Sequence, residues 1–64
     1  MNPDRDIWRA ANLLTRERGG DAEIVAARRA DDMLERDDRD DQLVWQRIRQ
    51  AIIELQAVPV GKPN

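Results

Sequence analysis

The sequence predicts an all-α fold, a small up-down-up three-helix bundle, and three observations carry that prediction. Apolar residues recur at helical steps in three stretches. Ala, Arg, Leu, Gln and Glu dominate, whereas β-branched and aromatic residues are too scattered to build strands. Between these stretches, turn chemistry falls at Gly19-Gly20 and at the acidic run Asp37 to Asp41. The expected division is one domain over 1–58, with helices at about 3–18, 22–36 and 39–57, followed by a flexible tail over 59–64.

The first helix is expected to start with Asn2 as N-cap and Pro3 at the first helical position, where a missing N–H costs nothing. Asp4 and Asp6 suit the positive end of its dipole, and Arg16 and Arg18 the negative end. Ile7, Ala10, Ala11 and Leu14 form its apolar face, with Trp8 beside it. Gly19-Gly20 ends the helix, because glycine enters the left-handed C′ conformation without strain.

Asp21 is the expected cap of the second helix. Its face reads Ala26, Ala27, Ala30, Met33 and Leu34, and the alanines invite close approach by a neighbour. Arg28, Asp32 and Arg36 run along its outer side as a ladder of weak ion pairs. Glu23 falls in line with the apolar face, and at the helix start it can reach solvent and favour the dipole.

Asp38 is the expected N-cap of the third helix, with Asp40 and Asp41 in its first turn. This helix has the cleanest period in the chain, with Val44, Ile48, Ala51 and Leu55 at steps of four, three and four. Val58-Pro59 stops it, because the residue before proline avoids helical angles. The expected core is Ile7, Ala11, Leu14, Ala27, Ala30, Met33, Leu34, Val44, Ile48, Ala51, Ile52 and Leu55. The two tryptophans should lie at its margin and cluster with Met33 and Leu34 at one end.

Certain motifs in these segments match a family of short, mostly alphaproteobacterial proteins that form a domain of unknown function. They are Asp6-Ile7-Trp8-Arg9-Ala10-Ala11-Asn12-Leu13-Leu14, Gly19 with Asp21-Ala22, Ala26-Ala27-Arg28-Arg29-Ala30-Asp31, and Val44-Trp45-Gln46-Arg47-Ile48. The chain resembles that family over most of its length apart from the tail. Members of that family often carry histidine where this chain has Arg18, and often glycine at the positions of Asp37 and Asp41. The resemblance implies a compact helical fold and no activity.

Composition narrows the function classes. The 64 residues carry 11 Lys and Arg against 13 Asp and Glu, a net charge of −2 with the signs interspersed. Such a pattern makes a solvated helical surface rather than a nucleic-acid or membrane patch. The chain has no Ser, Cys, His or Tyr, Thr15 is its one hydroxyl, and Lys62 is its one lysine. The common nucleophiles and tuned bases are therefore missing, and the chain is not expected to be an enzyme. No cofactor, metal or small-molecule substrate is expected. The charged start MNPDRDIW does not read as a signal peptide, and no apolar run is long enough to span a bilayer, so a cytoplasmic location is expected.

Two motifs invite sharper readings. Asp37, Asp38 and Asp41 match the DDxxD pattern that holds magnesium in helical isoprenoid synthases, but at a helix start they read as capping and solvation. The turn at Gly19-Gly20 could belong to a helix-turn-helix. A reading helix that begins with Asp38, Asp40 and Asp41 would, however, be repelled by phosphates. The remaining signal is a second stripe on the third helix, Leu43, Gln46, Gln50, Ile53 and Ala57, roughly opposite the Val44–Leu55 face. It marks an expected partner interface. A protein-interaction module, either a homodimer or an accessory subunit, is the favoured function. A nucleic-acid-associated regulator is the alternative.

Overall fold

The structure is a computed structural model, and it describes residues 3–57. These form α1 (Pro3–Arg18), one 3-10 turn (Gly19–Asp21), α2 (Ala22–Glu35) and α3 (Arg39–Gln56), with no strand. The described chain is all-α. Asn2, Val58-Pro59 and the tail 59–64 lie outside the described residues, so the expectations placed on them are not addressed.

α1 and α2 follow one another without a non-helical break. Gly19 takes φ +56°, and a Cβ built there would meet no atom within 4 Å. Glycine is favoured at this position by backbone conformation alone. The Ala22 N–H then donates to the Gly19 carbonyl, so the backbone traces a continuous, bent helical path from Pro3 to Glu35. Asp21, expected to cap α2, does not. Its backbone is near-helical, at φ −89° and ψ −3°, and its side chain accepts no capping hydrogen bond. The 3-10 turn supplies carbonyl acceptors to the start of α2, which reduces the need for a side-chain cap.

The α2–α3 connection is tighter. Asp37 N–H donates to the Leu34 carbonyl at 3.0 Å and Asp38 N–H to the Met33 carbonyl at 2.8 Å. This is the paired bonding of a Schellman motif. It requires a left-handed residue, and Asp37 sits there at φ +60°. Asp38 then caps α3 as its position suggested, its Oδ1 accepting from the Asp41 N–H at 3.1 Å. An L-residue held left-handed is strained, so Asp37→Gly should stabilise the fold by about 0.5–1 kcal/mol. A thermal melt followed by circular dichroism should move up a few degrees. A fall in the midpoint would mean that residue 37 is not left-handed.

The core is small and alanine-rich. Ala11, Ala22, Ala26, Ala30, Ile48, Ala51 and Ile52 are buried, and Ile52 is the largest side chain to be fully enclosed. Ile7, Ala10, Leu14 and Trp45 pack partly against this cluster. The hydroxyl oxygen of Thr15 is buried without a hydrogen-bond partner among the described residues, which subtracts further from stability.

Several core expectations need correction. Leu34, Val44 and Leu55 are exposed at 51, 42 and 36%. Ile7, Leu14, Ala27 and Met33 are only half-buried, while Ala22 and Ala26 are enclosed. For α2 the reason is its rotation about its axis. Small side chains at Ala22, Ala26 and Ala30 present one flat stripe that α3 can approach closely, and α3 turns Trp45, Ile48 and Ile52 toward it. Val44 and Leu55 fall between Ala51 and Ile48 around α3, but toward the start and the end of that helix, and Leu34 lies a quarter-turn beyond Met33.

Polar ties set how the helices align. Arg49 of α3 pairs with Glu23 of α2 at 3.1 Å, and the Arg29 guanidinium lies 5.3 Å from the centre of the Trp45 ring. Gln56 Nε2 donates to the Gly19 carbonyl at 2.7 Å. Glu23 therefore does not simply reach solvent from a helix start, as expected, but bridges two helices. Both partners are partly exposed, so the pair is worth ~0.2–1 kcal/mol and serves alignment more than stability. On the outer side of α2, Asp32 and Arg36 pair at 3.4 Å.

Candidate interaction surface

α3 presents to solvent the arc opposite Ile48 and Ile52. Of the five stripe residues expected there, Leu43, Gln46, Gln50 and Ala57 are exposed, Leu43 at 55%. Ile53 is half-buried, on the side of the helix that carries Arg49 toward α2. The stripe therefore offers one large apolar side chain, not two, and most of its remainder is amide.

A larger apolar surface lies beside it, along the seam between α1 and α3. A cleft of about 230 Å3 is lined by Ile7, Asp40, Leu43, Val44 and Arg47. A second, of about 180 Å3, is lined by Asp4, Ile7, Trp8, Arg47, Gln50, Ala51 and Glu54. Ile7 and Arg47 border both, so the two are halves of one seam. Trp8 is 38% exposed there, level with Gln50 and Ala51. Trp45 instead lies against Arg29, and Leu34 is exposed, so the expected four-residue cluster with Met33 does not form. Val44, Ile7 and Trp8 were missing from the expected interface because each was assigned to the core or its margin. The wheel gave no such signal for Val44, which falls between Ala51 and Ile48 on the predicted face.

The seam's halves are each smaller than the ~300 Å3 from which small-molecule sites begin. Their lining is apolar in the middle and charged at the ends. That pattern suits side chains of another protein better than a metabolite.

A concavity of about 710 Å3 lies elsewhere, on the outside of the α2–α3 turn. It is walled by the five consecutive residues Arg36 to Asp40. One strand of chain with charges of both signs cannot enclose a ligand. Asp38 is engaged as a cap, and among the described residues no group of three or more acidic side chains converges as a metal site would require. Nor is any described helix long and apolar enough to cross a membrane.

No protein-family model, curated protein or solved structure matches this chain, so its function has to be read from the surface itself.

Proposed function

We propose that this chain is a non-catalytic protein-interaction module, a homodimer or a small accessory subunit, working in the cytoplasm. Its architecture on this reading is an up-down-up three-helix bundle organised on α3. The pairings Glu23–Arg49 and Arg29–Trp45 support an antiparallel α2. Ile7 beside Val44 and Gly19 beside Gln56 support a parallel α1. Kinship with the short alphaproteobacterial helical proteins belongs to the same proposal.

One observation carries the functional reading. The enclosed core is mostly alanine, while Trp8, Leu43 and Val44 stand exposed around a single seam. A 64-residue chain is marginally stable on its own. Covering each large apolar side chain would add roughly 1–2 kcal/mol before the costs of association. An accessory partner, or a second copy, is what that surface fits. The Asp-rich first turn of α3 gives the nucleic-acid alternative no comparable support.

A photo-crosslinking residue at position 43, introduced in the native cell, tests this. It should trap a protein, and the same residue at Glu17 should not. Position 43 trapping no protein above the Glu17 control would overturn the interaction reading.

A further inference from the structure

We propose that the occupant of the α1–α3 seam is a second copy of this chain, with α3 crossing α3 of its partner antiparallel about a two-fold axis between Leu43 and Val44. This rests on the interaction reading above and names the partner.

The order of residues along the face points to it. Asp40, Leu43, Val44 and Arg47 fall within about 100° of one another around α3. The acid precedes the apolar pair by three residues and the base follows it by three. A two-fold antiparallel crossing maps position 43 onto 44 and position 40 onto 47. Each Leu43 then packs on the other copy's Val44, and each Asp40 meets the other copy's Arg47. Closed symmetry demands a self-complementary patch of this kind. A parallel crossing in register would set Asp40 on Asp40 and Arg47 on Arg47. Among the described residues neither group takes part in the ion pairs Asp32–Arg36 and Glu23–Arg49. Leu43 and Val44 are also two of the most exposed apolar residues of α3, so the attractive centre and the charges that set its register coincide. Ile7 borders the same residues and widens the contact on each side.

The test is the mass of the full chain by sedimentation equilibrium. The unaltered protein should weigh as two chains. Arg47→Glu and Asp40→Arg should each weaken the dimer by about 10-fold or more, because like charges then face each other twice. The double variant should recover most of the affinity, and an equimolar mixture of the two single variants should form a mixed dimer. Circular dichroism confirms that each variant is folded. If Asp40→Arg loses helicity, Arg47→Glu still serves, and Leu43→Cys mixed with Val44→Cys should oxidise to a mixed disulfide dimer.

An unaltered chain that stays monomeric at ~1 mM overturns the proposal. So does a dimer indifferent to Arg47→Glu, a folded double variant that does not recover, or a cysteine pair that fails to cross-link. If the chain is monomeric while position 43 still traps a different protein in the cell, the second copy is excluded and the interaction module stands. If position 43 traps nothing, both fall.

Discussion

Ile52→Ala is expected to remove most of the fold's stability. Ile52 is the largest side chain with no exposure, and it lies where α3 meets the alanine stripe of α2. Truncating a buried isoleucine costs ~2–5 kcal/mol, the spread depending on how far the cavity can collapse. A chain of 64 residues has a total of only about 3–10 kcal/mol to lose. Urea unfolding followed by circular dichroism should show the midpoint fall toward zero denaturant. Leu13→Ala, at a side chain 55% exposed, should move it by about 0.5 kcal/mol or less. Equal effects at the two positions would show that Ile52 is not the centre of the core.

Ala26→Leu should be the next most damaging change. Ala26 has no exposed surface, and α2 lies against α3 there because the side chain is small. Three added carbons must push the helices apart or force strained rotamers, at ~1–3 kcal/mol. Ala27→Leu, one position on and half-buried, should change stability little. The pair of variants reports the rotation of α2 directly. If Ala27→Leu proved the more damaging, α2 would present the face expected from the sequence rather than the one the structure places inward.

The two variants probe different faces for a reason that also governs the candidate surface. On α3, a wheel drawn from the sequence places Leu43, Gln46, Gln50 and Ala57 away from Ile48, and those residues are exposed. Ile53 and Val44 lie nine residues apart, on opposite sides of α3. The structure half-covers Ile53 on the α2 side and leaves Val44 at 42% exposure on the α1 side. The apolar seam with Ile7 and Trp8 follows from how α1 lies along α3 and could not be read from α3 alone. The charge order Asp40, Leu43, Val44, Arg47 is visible in the sequence, but it gains meaning only once Val44 is known to lie outside.

The sequence by itself determined helical content and where helices start and stop, since these depend on groups within four residues of one another. Asp38 caps α3 because its carboxylate reaches the N–H three residues on. Gly19 ends α1 because a left-handed residue is cheapest there. Even the exception is local: Asp21 loses its capping role to the 3-10 turn immediately before it. Ala11 of α1 and Ile48, Ala51 and Ile52 of α3 are buried as the sequence predicts, and only the tertiary structure decided which side of α2 faces inward. A helix with a broad apolar arc has several rotations of nearly equal burial, and the choice among them falls to the shape of its neighbour. Here α2 turns Ala22, Ala26 and Ala30 inward, whose small side chains let Ile48 and Ile52 of α3 settle closest, and leaves Leu34 in solvent.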